Sequence, residues 1–294
     1  MKQKMKRSLG DQIFNLIIYV ALVVILVVTI YPLIYVVSAS LSNPMEIVKG
    51  NIWFLPKGIN LNAYKKVFQN EDILTGYLNS IKYTVVGTSI NIIMTTMAAY
   101  PLSRRDFKGR NVLTLMFTFT LFFSGGLIPT FLIYKNTLGL YNNIWAIVLP
   151  GTVSVWNLVI MRTYFQSSIP LEIQEAAFID GCSNVGTLRR VILPLSKPII
   201  AVMAMYYGVG HWNAYFNALI YIKDRWKLPL QMVIRNILIV SMAGGEGESL
   251  VDQVLLSEGI KYAVIVVASL PMLMLYPLIQ KNFVKGVTLG AIKG

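Results

Sequence analysis

Long apolar stretches separated by short polar segments dominate the chain. The first runs from Ile13 to Val37 without a charge and follows Lys2, Lys4, Lys6 and Arg7. Further stretches lie at about Ile81–Leu102, Val112–Tyr134, Ile144–Met161, Ile199–Ile222 and Lys261–Ile279. Each approaches the roughly 20 residues that a helix needs to cross a bilayer. In lipid a segment must satisfy its own backbone polar groups, so each stretch is expected to be helical. The pattern predicts an all-α membrane protein of six transmembrane helices, with both termini on one side. A cleaved signal peptide has an apolar core of only about 7–15 residues, so the first stretch reads as an uncleaved span.

Composition agrees. The chain has 294 residues, of which 55% are hydrophobic and 13% charged, far from the balance of a water-soluble domain. A net charge of +13 would point to nucleic acid in a soluble chain. Here the basic residues sit mostly in short loops, as orientation signals do, and a nucleic-acid partner is set aside. With cytoplasmic termini, most of the 26 basic residues fall inside, including Arg104, Arg105, Lys108, Arg110, Arg162, Arg189, Arg190, Lys197, Lys281, Lys285 and Lys293. The expected location is the bacterial cytoplasmic membrane, multi-pass, with both termini cytoplasmic. The expected organisation is a tail over 1–12, one six-span domain over 13–281 with a cytoplasmic loop at 162–198, and a tail over 282–294. Internal repeats and low-complexity tracts are lacking.

The chemistry excluded is as informative. Cys182 and His211 are the single cysteine and histidine, which rules out a disulfide framework and a Cys- or His-rich metal centre. The span interiors are nearly free of charge, whereas an ion-coupled carrier holds ionisable groups at membrane depth. A membrane enzyme would need paired carboxylates or a Ser/His pair there, and His211 has no acidic neighbour in sequence. The chain is therefore not expected to be an enzyme. No G-x-x-x-x-G-K-[ST] loop occurs, so uphill transport would draw its energy from another subunit; a stand-alone channel would conduct without one.

Uncharged polar side chains do occupy the spans: Asn91, Asn157, Tyr206, Tyr207, His211, Trp212, Asn213, Tyr215 and Asn217. Amides and hydroxyls in lipid can pair across helices, at about 1 kcal/mol each. The same groups suit a sugar path, since hydroxyl-rich ligands call for amides and flat aromatic faces. On one continuous helix Asn213 and Asn217 would share a face. Asn157, Tyr207, His211, Trp212, Asn213, Tyr215 and Asn217 are the substrate-pathway candidates, and both readings remain open.

The cytoplasmic loop has helix punctuation. Ser168 is a candidate cap with Pro170 in the first turn, Gly181 a stop, and a second short helix is expected from Ser183 until Pro194 breaks it. The result is an elbow of two helices between spans four and five. An amphipathic elbow resting on lipid headgroups is the alternative, and the acids Glu172, Glu175 and Asp180 argue against it.

Glu175-Ala176-Ala177, three residues, Gly181, nine residues and Val191-Ile192-Leu193-Pro194 resemble the EAA signature of importer-type ABC permeases, with Val191 where isoleucine is commoner. Asn79-Ser80 leading to Ala98–Arg104 resembles the second span of the maltose-type carbohydrate permeases. Gly125–Thr130, Met161–Phe165 and the tail Phe283–Gly294 resemble the subgroup associated with complex-glycan oligosaccharides, and the tail resembles the second permease subunit of such systems.

The resemblance implies the importer-type ABC permease fold and half of a passive pathway working by alternating access. A second homologous permease would complete a heterodimer, and an ATPase dimer that binds ATP and Mg would clamp beneath it, no cofactor being held by this chain. An extracellular or periplasmic solute-binding protein would deliver the oligosaccharide, and membrane lipid would surround the spans. Glu175, Ala176, Ala177 and Gly181 would dock into the ATPase, Leu193 and Pro194 would fix the elbow's angle to span five, and the tail with Gly286, Thr288 and Gly290 would reach toward the ATPase. A permease for another solute class, such as peptides, is the alternative. The outer loop Lys223–Gly259, with an expected helix at Leu228–Met242 and an acidic tip at Gly244–Glu248, would occupy the position of a loop that enters the binding protein's cleft. Trp53, Phe54 and Leu55 read as membrane-interface aromatics.

Overall fold

A computed structural model describes residues 9–242, 258–274 and 277. The helices are α1 (Leu9–Ser40), α2 (Pro44–Val48), α3 (Asn62–Gln69), α4 (Glu71–Ser103), α5 (Arg110–Phe122), α6 (Leu127–Leu132), α7 (Trp145–Val148), α8 (Val155–Ser168), α9 (Leu171–Ile179), α10 (Asn184–Thr187), α11 (Leu193–Leu195), α12 (Lys197–Trp212), α13 (Phe216–Tyr221) and α14 (Leu230–Met242). A last helix, α15, covers 258–274, and among the described residues there is no strand. The chain divides into two compact units, Met1–Asn70 with Asn236–Val267 and Glu71–Arg235 with Ala268–Gly294.

In the first unit α1 is apolar all round, and only Ser38, Ala39 and Ser40 at its end are buried. Such a helix finds its solvent in lipid. Its last turn is tied by hydroxyls: Ser38 Oγ donates to Phe54 O at 2.6 Å, and Ser42 Oγ accepts from Lys57 N at 3.0 Å. Asn43 caps α2, accepting from Met45 N, with Pro44 at the first helical position where its missing N–H costs nothing. Tyr35 meets Tyr262 edge to face beside a small core of Ala39, Ile47 and Ile52.

In the second unit α4 packs against α8 and α12 around Ala99, Tyr100, Leu158, Met161, Phe165, Ile192, Ile199, Val202, Met203 and Tyr207. The buried positions of α4 include Ile73, Gly76, Ser80, Tyr83, Gly87, Asn91, Thr95, Ala99 and Leu102. Their spacing of three and four residues traces one face, and it is a face of small and polar side chains, the kind that lets helices approach closely in membranes.

Among the described residues two helices, α1 and α4, are long and apolar enough to cross a membrane unbroken. The third stretch, expected to be continuous over Val112–Tyr134, is instead bent by 110° between Arg110–Phe122 and Leu127–Thr137. Gly126 at φ 83° makes the break, a conformation that L side chains rarely adopt. The fourth, expected over Ile144–Met161, breaks at Pro150-Gly151, with Gly151 at φ 72° between α7 and α8. The fifth ends earlier than expected: α12 stops at Trp212, Asn213 is its C-cap, and α13 starts afresh at Phe216. Asn213 and Asn217 therefore do not share the face of one continuous helix.

Candidate functional site

The cytoplasmic elbow is built by local signals. Ser168 belongs to the end of α8 and caps nothing; Pro170, expected inside the first turn, is the N-cap position of α9. Gly181 stands at φ 79°, and its N–H donates to Phe178 O at 3.0 Å, closing the helix. Ser183 Oγ accepts from Gly186 N at 3.2 Å and starts α10. Pro194, expected to break this helix, is carried in its last turn: the helix runs on from α10 through a π-helical segment, Leu188–Ile192, and α11 to Leu195 before it ends at Ser196. The chain turns by 83° at Ser196, between Asn184–Leu195 and Lys197–Trp212. Leu193 and Pro194 thus lie three and two residues before the bend.

Glu175 and Ala176 are exposed on α9, while Ala177 is its buried residue. Leu171, Ile173, Ile179 and Val185 expose large apolar side chains beside Glu172, Glu175 and Asp180, and Ile179 is 87% exposed. Exposed apolar side chains interspersed with acids, on a short helix ended by glycine, are what another protein's cleft can grip.

Arg104, just beyond α4, closes the Ala98–Arg104 run and is an expected inside charge; its contacts are not visible in the sequence. Its Nε donates to Asp106 Oδ1 at 2.9 Å and its Nη2 to Asp106 Oδ2. Its Nη1 donates to Asn184 Oδ1 of α10 at 2.7 Å and to the Tyr100 hydroxyl at 3.3 Å. The guanidinium carbon lies 4.7 Å from the centre of the Phe178 ring of α9. The fork holds the Asp106 carboxyl below its ordinary value, chiefly through the hydrogen bonds from Arg104, which is itself pushed up.

The substrate-pathway candidates do not form a single cluster. Tyr207 is buried; its hydroxyl shares a hydrogen bond with Thr95 at 2.6 Å and accepts from Ser154 N at 3.1 Å. Trp212 is buried too, its Nε1–H donating to Ala268 O at 3.1 Å and its ring meeting Tyr77 edge to face at 5.5 Å. These two side chains join helices. His211 Nε2 lies 3.2 Å from Asn91 Oδ1, and Asn91 Nδ2 donates to Gly151 O at 3.3 Å. Since a carbonyl oxygen only accepts, this contact puts the imidazole proton on Nε2. A Cβ at Gly87 would stand 2.5 Å from that ring. Asn157 is buried in the first turn of α8, Asn213 and Tyr215 are exposed, and Asn217 is half-buried. Gly286, Thr288 and Gly290, and the acidic tip Gly244–Glu248, lie outside the described residues.

Sequence reasoning also missed a second polar hub. Asn142 has φ 57°; its Oδ1 accepts from the N–H groups of Lys223 and Asp224 at 3.1 Å, and its Nδ2 donates to Asp224 Oδ2 at 2.8 Å. The segment after it is strapped to α4, with Asn79 Nδ2 donating to Trp226 O at 2.8 Å and Tyr83 to Lys227 O at 2.7 Å. Among the described residues no group of His, Cys, Asp and Glu could hold a metal ion.

No family model matches the chain. Protein LplC of Bacillus subtilis is 44% identical over 268 residues, covering 91% of this chain and 90% of that protein. The polygalacturonan/rhamnogalacturonan transport system permease protein YtcP of the same organism is 40% identical over 286 residues, 97% of this chain and 99% of YtcP. The crystal structure of a bacterial ABC transporter involved in import of the acidic polysaccharide alginate contains a chain that superposes with a TM-score of 0.85 at 31% identity, covering 95% of this chain and all of that one.

Proposed function

The chain belongs to the permease subunits of carbohydrate ABC importers, and from that premise we propose that α9 is the seat of the ATPase and that α4, α8 and α12 line half of an oligosaccharide path. Membership makes it a non-catalytic, integral membrane component that works with a partner permease, an ATPase and a solute-binding protein. Our reading adds that the partner permease is a different, homologous chain, that both termini are cytoplasmic, and that the boundaries 1–12, 13–281 and 282–294 separate tails from the permease domain. The cargo is an oligosaccharide derived from a larger polysaccharide, which the named cargoes of YtcP and of the alginate importer support; a peptide cargo has no such support.

One observation carries the docking role: Glu175 and Ala176 stand exposed on a helix that Gly181 ends in a left-handed turn, with apolar Ile179 and Val185 beside them. Moving a two-state bundle from 1:99 to 99:1 takes about 5.5 kcal/mol of differential binding. A sugar held by a few hydrogen bonds of about 1 kcal/mol each falls short, so closure of the ATPase on the elbow supplies most of it. Glu175, Ala176, Ala177 and Gly181 dock, the bend at Ser196 after Leu193 and Pro194 converts closure into tilting of α12, and the tail with Gly286, Thr288 and Gly290 extends the contact. His211, Asn213, Tyr215, Asn217 and Asn157 are the sugar-facing candidates; Tyr207 and Trp212 hold the helices that carry them.

Glu175→Arg and Gly181→Val are expected to abolish uptake and co-purification of the ATPase while the chain still inserts; retained coupling in both would refute the docking role. Asn213→Ala is expected to alter sugar-stimulated ATP hydrolysis without weakening assembly. A panel of galacturonan-, alginate- and galactan-derived oligosaccharides and of peptides, offered with the binding protein, tests the cargo: stimulation by peptides alone would overturn the carbohydrate reading.

A further inference from the structure

The elbow joins α8 through α9 and α12 through α11, so the covalent chain already transmits its movement to those two helices. No such connection reaches α4, although α4 is the helix that packs against both. Arg104 supplies one. Its guanidinium bonds Asn184 on α10 at 2.7 Å, lies 4.7 Å from the Phe178 ring centre on α9, and is steadied from its own side by the fork to Asp106 and by Tyr100. Only 17% of the Arg104 side chain is exposed.

The end of α4 is anchored in the same place. Arg162 Nε of α8 donates to Leu102 O at 3.0 Å, Gln166 Nε2 of α8 to Ser103 O at 3.2 Å, and Arg110 Nη1 of α5 to Arg104 O at 3.3 Å. These donors satisfy carbonyls that a helix end leaves open, and the two arginines among them sit at the negative pole of its dipole. The last turn of α4 is therefore gripped on its backbone by α5 and α8 and on its side chain by both arms of the elbow. A planar, always-charged fork with five donors can hold such a contact through a rotation that would break a single hydrogen bond.

We infer that Arg104 is a positioning residue that carries displacement of the elbow into α4, making α4 a driven element of the transport cycle beside α12. The inference rests on the reading of the elbow as the ATPase contact, and the test separates the two. In the assembled transporter, with Cys182→Ser as background, an environment-sensitive fluorophore is placed on α4 at Val85→Cys or on α12 at Val209→Cys. The response to ATP with vanadate is then read, together with ATP hydrolysis and co-purification of the ATPase. Arg104→Gln is expected to reduce the α4 response about tenfold, while the α12 response and basal ATP hydrolysis stay within about twofold. Asn184→Ala, at an exposed position that folding tolerates, is expected to reduce the α4 response about threefold. Arg104→Lys with Asn184→Asp, which restores a charged contact, is expected to recover most of it.

Unchanged α4 responses in Arg104→Gln and Asn184→Ala overturn the inference while leaving the elbow reading intact. Equal loss at both reporters, or loss of the ATPase from the complex, overturns it too, because Arg104 would then hold the elbow itself. Normal responses in Glu175→Arg would bring down the elbow reading instead.

Discussion

Helices α1 and α4 are nearly the same length, 32 and 33 residues, and both are apolar enough to cross a membrane. Within their most apolar stretches, none of α1 is buried and 39% of α4 is. The more hydrophobic helix is the less packed one. In lipid the hydrophobic effect does not draw helices together, since the tails are as apolar as leucine; close approach of small side chains and interhelical hydrogen bonds do. Accordingly α4 carries Gly76, Ser80, Gly87, Asn91 and Thr95 on its buried face, while the corresponding length of α1 is mostly valine, leucine and isoleucine. A span's interior role is written in its departures from hydrophobicity.

The sharpest way to break this contrast is at Gly87. A Cβ there would meet the His211 ring at 2.5 Å, and that ring is held by Asn91, so Gly87→Leu must spread α4 from α12. Overpacking of this kind costs about 1–3 kcal/mol, and a clear drop in the thermal midpoint of the purified transporter with loss of uptake is expected. Asn91→Leu strips partners from His211 Nε2 and from Gly151 O. It is expected to cost about 1–3 kcal/mol for the orphaned groups, and to be milder in combination with His211→Leu. Thr95→Val and Tyr207→Phe break one shared hydrogen bond, and Tyr207→Phe also removes the acceptor of Ser154 N. Thr95→Val is expected to cost about 1 kcal/mol and Tyr207→Phe somewhat more, and a double-mutant cycle should show them non-additive. The smallest effect belongs to α1: Val24→Leu, on a stretch that the rest of the chain leaves unburied, is expected within about 0.5 kcal/mol of the parent by the same melt. A large effect there would show that α1 packs as tightly as α4 in the assembled complex.

The pH dependence of the Arg104 fork follows from its sign. Asp106 has its folded value depressed, so its contribution is fully present above the ordinary value of 3.8 and lost as pH falls through the lowered one. Coupling through Arg104 is therefore expected to be flat across neutral pH, measured as the α4 reporter response between about pH 6 and 8.

Much of the elbow was legible because its signals are local. Gly181 stops α9 and Ser183 starts α10 through contacts that span three residues or fewer. The end expected at Pro194 comes at Leu195 instead: the helix begun at Asn184 carries the proline in its last turn, behind the π-helical segment Leu188–Ile192, and stops at the 83° bend that follows. The continuous reading of Ile199–Ile222 failed because hydropathy does not register a C-cap at Asn213 within an apolar run. That break separates Asn213 from Asn217. Both Trp212 and Tyr207, which the sequence offered equally as sugar contacts or as interhelical ties, make bonds that join helices.

From its sequence alone the chain set its solvent, the places of its apolar stretches and the turn chemistry of its elbow. Those follow from side-chain transfer energies and backbone preferences that act within a turn or two. Tertiary structure alone decided which polar groups are partners: Thr95 with Tyr207, Asn91 with His211, and Arg104 with Asn184 and Phe178. Each of those pairs brings together positions more than 70 residues apart, and a donor in lipid accepts whichever partner the packing of whole helices delivers to it.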